Sequence, residues 1–185
     1  EEGAIIWDAW MEAGGNAFDT GFVYGGGLHE QVLGKWLKGR GVQDQAIVIV
    51  KGAHTPYCTP RAIETQLDIS LDRLGLDHAP IYIMHRDNPE IPVDEFMDVL
   101  NDLKAQGRVD AFGGSNWSFE RFAAANAYAA QSGKQGMSIL NNNLSLSHMV
   151  HEVSGGCVHV SDPDSRARLE RDQTPVFSSS SQARG

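Results

Sequence analysis

Apolar and polar positions along the chain switch repeatedly between two periods. Ile5, Ile6, Ala9, Trp10 and Ala13 recur at helical spacing and stop at Gly14-Gly15, which predicts a helix over 5–13. Residues 17–24 read as a strand closed by Gly25-Gly26-Gly27. Residues 29–37 read as a helix with Val32, Leu33, Trp36 and Leu37 on one face. The run AIVIV at 46–50 is continuously apolar and mostly β-branched, as suits a parallel strand buried on both faces. Thr59-Pro60 opens the next helix with a capping hydroxyl and a proline at the first helical position, and Gly75 closes it. The unit then repeats: strand 81–85, helix 93–105, strand 109–114, helix 118–130 with a capping-box-like start, strand 139–146, charged helix 162–171 and strand 174–178.

Helix–strand alternation with no low-complexity linker predicts one α/β domain over 1–185, built on a parallel sheet with helical crossovers. An open doubly wound sheet and a (β/α)₈ TIM-type barrel both fit that pattern. The pattern contains about six strands, whereas a complete barrel has eight and about 250 residues, so counting alone favours the open sheet.

Composition narrows the function classes. The chain has 185 residues, 41% apolar and 21% charged, which is ordinary for a globular domain. Its formal net charge of −9 argues against a nucleic-acid or anionic-membrane surface. No apolar run approaches the roughly 18–20 residues of a membrane span. Glu1-Glu2 stand where a signal peptide would be basic. Two cysteines, Cys58 and Cys157, cannot make a disulfide framework, and a cytoplasmic location is expected.

Polar residues collect where the predicted strands end. Asp19 and Tyr24 flank the end of the first, Lys51 follows AIVIV, His85 follows IYIM, Ser115-Asn116 follow VDAFGG, and Asn141, Asn142 and Asn143 interrupt the sixth strand region. In a parallel sheet these ends share one face, where ligands bind. A tyrosine with an unperturbed pKa of about 10 donates a proton poorly at neutral pH. A lysine ammonium beside it stabilises the phenolate, a carboxylate holds that lysine, and a histidine orients an incoming carbonyl oxygen. Taken together, Asp19, Tyr24, Lys51 and His85 suit proton donation in carbonyl reduction. Taken singly, each is a common packing, capping or solvated residue. His148, His151, Cys157 and His159 carry zinc-binding atoms, but their spacing matches no standard site and no metal is expected. Cys58, at a helix start, reads as incidental.

The segment GGNAFDTGFVYGGGLHEQVLGKWL resembles the aldo-keto reductase signature FDTA-x-x-YG-x-G-x-SE-x-x-LG. The resemblance implies a TIM-type barrel, overriding the strand count, with about six of its eight strands in this chain. It implies NADPH-dependent reduction of an aldehyde or ketone to an alcohol, with NADH an open alternative. Tyr24 would be the general acid, Lys51 and Asp19 would tune it, and His85 would position a small carbonyl substrate. Ser115 and Asn116 match the pair that holds the nicotinamide carboxamide, Asn141 falls at an amide contact usually made by Gln, and Ser180 matches a pyrophosphate-binding serine. The chain departs from the family at His29 (for Ser), Gly114 (for Val), Leu144 (for Tyr) and Ser179 (for an aromatic). By the same resemblance the first strand, the eighth strand, the last two helices and the segment that grips the 2′-phosphate fall outside the chain. Open sheet edges would then invite association. A non-catalytic binding module, as the potassium-channel β-subunits are in this superfamily, is the alternative function. Oligomeric state is left open.

Overall fold

The computed structural model describes residues 2–147, 149–152 and 154–183. Five parallel strands lie side by side in sequence order: β1 (Ala17–Asp19), β2 (Ile47–Gly52), β3 (Ala79–Met84), β4 (Val109–Ser115) and β5 (Ile139–Asn141). Six helices accompany them: α1 (Glu2–Glu12), α2 (Leu28–Arg40), α3 (Pro60–Leu74), α4 (Val93–Ala105), α5 (Phe119–Gln131) and α6 (Pro163–Asp172). An open doubly wound sheet reverses its strand order partway across. This sheet does not reverse, so its right-handed crossovers all return over one face. The strands form an incomplete barrel, with helices outside and a second, inward face.

The helix boundaries follow from local chemistry. Thr59 caps α3 by accepting from the Ala62 N–H, Pro60 occupies the first turn, and Gly75 terminates the helix in the left-handed conformation at φ +66°. Ser118 caps α5 through the Arg121 N–H, and Asp162 caps α6 through the Ser165 N–H. Each such cap stabilises its helix by about 1 kcal/mol. Strand parity then sorts the core. Val48, Val50, Tyr82, Met84, Phe112 and Leu140 join the main cluster under the helices, while Ile49, Ile83 and Ile139 pack against one another on the inward face.

Three strand expectations need correction. The first strand ends at Asp19, not Tyr24. Thr20 and Phe22 still donate backbone N–H to Ile49 and Lys51 of β2, but the chain then turns. Tyr24 opens a 3₁₀ turn, Tyr24–Gly27, in which three successive glycines take positive φ (56°, 63° and 95°). The strand expected over 139–146 is only Ile139–Asn141, because the Asn143 backbone bonds to Val158 and Val160 instead. The strand expected over 174–178 makes a single isolated parallel bridge, Leu140 to Val176, and the adjoining Ser179 makes another to Asn143. Among the described residues there are therefore five strands, with a sixth segment laid beside β5, where six strands were expected.

At the opposite margin β1 has no second strand partner among the described residues. Beside it runs an apolar groove of about 500 Å³ walled by Ile6, Trp7, Trp10, Leu28 and Val32.

Candidate active site

Register brings the polar residues together. Lys51 pairs with Ile83, Met84 with Gly114, and Ser115 with Asn141. His85 and Ser115 stand one residue beyond the Met84–Gly114 pair. Lys51, His85, Ser115 and Asn141 share the parity of Ile49, Ile83 and Ile139, so all four face inward at the C-terminal ends of the strands. A pocket of about 270 Å³ opens there, lined by Tyr24, Lys51, His85, Ser115, Asn116, Asn141 and Ser180 among others.

The residues expected to handle the proton lie close to one another. The Tyr24 hydroxyl is 3.5 Å from His85 Nε2, and the two rings meet edge to face. Lys51 Nζ lies 5.0 Å from the centre of the Tyr24 ring and donates to Asp19 Oδ2 at 2.7 Å. Lys51 is buried while the Asp19 carboxylate is about half exposed. Asp19 itself is not in the pocket wall; it lines the apolar groove behind and reaches the pocket only through Lys51. Burial, reinforced by Lys51, His54 and Arg86, pushes His85 down to about 3, so its ring is neutral at physiological pH. Its Nδ1 is buried without a partner among the described residues.

The four residues expected at a nicotinamide cofactor are also in the wall, but three are engaged with the protein. Ser115 Oγ donates to the Asn141 carbonyl and accepts from Asn116 Nδ2; Asn116 Oδ1 accepts from the Val158 N–H; Asn141 Nδ2 donates to the Phe177 carbonyl. Asn116 is held with φ at +59°, in the left-handed region. The Asn141 carboxamide oxygen and the exposed Ser180 hydroxyl make no hydrogen bond among the described residues. These two atoms, with the Ser115 and Asn116 cluster, are compatible with one polar ring substituent. The pocket volume sits just below the usual range of about 300–1,000 Å³, so it fits a ring-sized group rather than a whole dinucleotide.

Residue 114 explains one departure from the family pattern. A Cβ there would come within 2.7 Å of the Trp117 indole, which is fully buried. Glycine at 114 and tryptophan at 117 therefore go together.

Three lining residues, His54, Arg86 and Ser154, were not anticipated. Arg86 and His54 were legible as neighbours of the strand ends, since Arg86 directly follows His85. Ser154 carried no such signal. Cys157, considered only as a zinc ligand, also lines the pocket. Burial raises its thiol, but hydrogen bonds with Ser154 and the charge of Arg86 outweigh that and lower it. Among the described residues no group of three or more His, Cys, Asp or Glu is placed to hold a metal, and His148, one of the four residues carrying zinc-binding atoms, lies outside the described residues. Cys58 is buried, donates to the Arg86 carbonyl, and is pushed up to about 12, chiefly by burial. Among the described residues no helix is long and apolar enough to cross a membrane.

The chain resembles known proteins in fold and sequence. An aldo/keto reductase crystal structure from Klebsiella pneumoniae, in complex with NADP and acetate, superposes with a TM-score of 0.76 at 20% identity, over 96% of this chain and 56% of that one. The chain is 29% identical over 170 residues to an aryl-alcohol dehydrogenase [NADP(+)] of Phanerodontia chrysosporium, covering 82% of this chain and 44% of that protein. It is 30% identical over 128 residues to the aldo-keto reductase YhdN of Bacillus subtilis, covering 65% of this chain and 39% of that one. The chain thus spans less than half the length of these two relatives. The sequence model of the Aldo/keto reductase family matches residues 1–158, and the chain belongs to that family.

Proposed function

We propose that this chain carries the catalytic strand ends of an NADPH-dependent carbonyl reductase, acting on an aldehyde or ketone with Tyr24 as general acid. The observation that carries the reading is the convergence of Tyr24, from the 3₁₀ turn after β1, with Lys51 and His85, from the ends of β2 and β3, in one pocket. Membership of the family and the NADP-dependent relative support it. We read residues 1–185 as a single barrel-type unit working in the cytoplasm.

Tyr24 gives its proton to the carbonyl oxygen. The Lys51 ammonium, held by Asp19, supplies positive charge beside the ring as the phenol oxygen becomes negative. His85 is neutral, so one ring nitrogen donates and the other accepts. From 3.5 Å it can fix the position of the oxygen that Tyr24 protonates. NADPH would supply the hydride. Ser115, Asn116 and Asn141 would hold its carboxamide and Ser180 a phosphate oxygen. A scaffold would have no need of all four of Asp19, Tyr24, Lys51 and His85 in this arrangement, which favours the enzyme over a binding module.

The test is NADPH oxidation with a panel of aldehydes, beside calorimetric titration of NADPH. Tyr24→Phe is expected to lower kcat by roughly 10²–10⁴ while NADPH binding and the far-UV spectrum stay unchanged. Turnover that survives Tyr24→Phe removes Tyr24 from the reaction. NADPH binding without turnover of any aldehyde favours the binding module.

A further inference from the structure

Charge is unbalanced in the pocket. Its walls hold Lys51, His54, His85 and Arg86 and, among the described residues, no Asp or Glu, although the chain as a whole carries −9. Lys51 is answered by Asp19. Arg40, Arg73, Arg108, Arg121, Arg168 and Arg171 each lie against a carboxylate. Arg86 does not, among the described residues. Its Nη2 donates to Ser154 Oγ at 3.3 Å and approaches Cys157 Sγ at 3.8 Å, both weak partners and neither a carboxylate. Its backbone is fixed, because the Arg86 carbonyl accepts from Cys58 Sγ and Trp117 Nε1. The guanidinium's charge is felt locally: it adds to the forces that hold His85 neutral and favours the Cys157 thiolate. A planar, partly buried guanidinium with no carboxylate partner is matched in shape and charge to a carboxylate.

We propose that Arg86 binds a carboxylate carried by the carbonyl substrate, so that the pocket selects oxo acids over uncharged aldehydes or ketones. The proposal rests on reading the pocket as a carbonyl-reducing site. The shared chemistry is an oxyanion, and the phosphates of a dinucleotide are the other source of one.

The experiment is calorimetric titration of the 185-residue chain with 4-carboxybenzaldehyde and with benzaldehyde, which differ only in the carboxylate. The charged aldehyde is expected to bind roughly tenfold or more tightly. Arg86→Met should erase that preference without weakening benzaldehyde, and Arg86→Lys should restore part of it. Retained benzaldehyde binding and an unchanged far-UV spectrum show that the variant is folded. NADPH titrated into the same variants separates the two sources. Unchanged NADPH affinity assigns Arg86 to the substrate, whereas a parallel loss assigns it to the dinucleotide and overturns the proposal. Equal affinity for the two aldehydes in the parent chain, or binding of neither, also overturns it. Absence of NADPH oxidation beside an intact carboxylate preference would remove the reductase reading and leave the anion site standing.

Discussion

The two walls of the pocket are built on opposite plans. Tyr24, Lys51 and His85 form one wall, and much of what braces it lies outside the pocket. Glu30 is fully buried and pairs with Arg73 at 2.9 Å; Arg73 donates on to the Phe22 carbonyl and lies over the Phe22 ring, two residues before Tyr24. Asp19 anchors Lys51 from behind. On the other wall the polar residues brace themselves. Ser115 and Asn116 bond to each other, and Asn141 and Asn143 donate to the carbonyls of Phe177 and Ser179. Just behind, Asn142 donates to the Trp117 carbonyl. A wall braced from outside keeps reactive atoms free. A wall that braces itself gains order and gives up hydrogen-bonding capacity.

Removing the outer brace has the largest expected effect. Arg73→Ala leaves the Glu30 carboxylate buried without its cation, and urea unfolding should show a loss of about 3–5 kcal/mol. A loss under 1 kcal/mol would mean the pair does not brace that wall. Cutting one stitch of the other wall should cost less. Asn142→Ala leaves the Trp117 carbonyl unpaired, and the same measurement should show about 1–3 kcal/mol. The reverse ranking of these two variants would break the comparison.

A third effect is a slope with pH. His85 titrates near 3 in the folded chain and near 6.5 when unfolded, so between those values the unfolded state binds more protons. Stability should therefore decline as pH falls from 6.5 towards 3, with no such contribution above that window. His85→Gln should flatten the decline, and an unchanged slope in that variant would show that the ring is not the cause.

What could be read in the sequence followed the range of each interaction. Helix α4 runs from Val93 to Ala105 as its apolar spacing predicts, and Thr59-Pro60 and Ser118 mark their helix starts, because spacing and caps act within a few residues. Lys51, His85, Ser115 and Asn141 were legible because strand ends are local. The extent of the first strand was not, since it depends on where β2 ceases to pair and on three glycines at positive φ. Nor was the shortness of β5, where Asn142 and Asn143 bond to segments 25 and 36 residues away. The engagement of Asn116 with the Val158 N–H and the lack of a carboxylate beside Arg86 among the described residues depend on a loop whose path the sequence does not announce.

The strictly sequential strand order also bears on how the molecule is made. Every strand pairs with the one synthesised just before it, at a separation of about one helical crossover. As the chain leaves the ribosome, each of β2 to β5 meets a template already exposed. Assembly of this kind proceeds like laying staves edge to edge, with each completed pair stabilising the site of the next. Insertions in the loops that carry Tyr24, Arg86 or Cys157 lengthen one connection without disturbing that order. The chemistry at the strand ends can therefore diversify while the route to the fold stays the same.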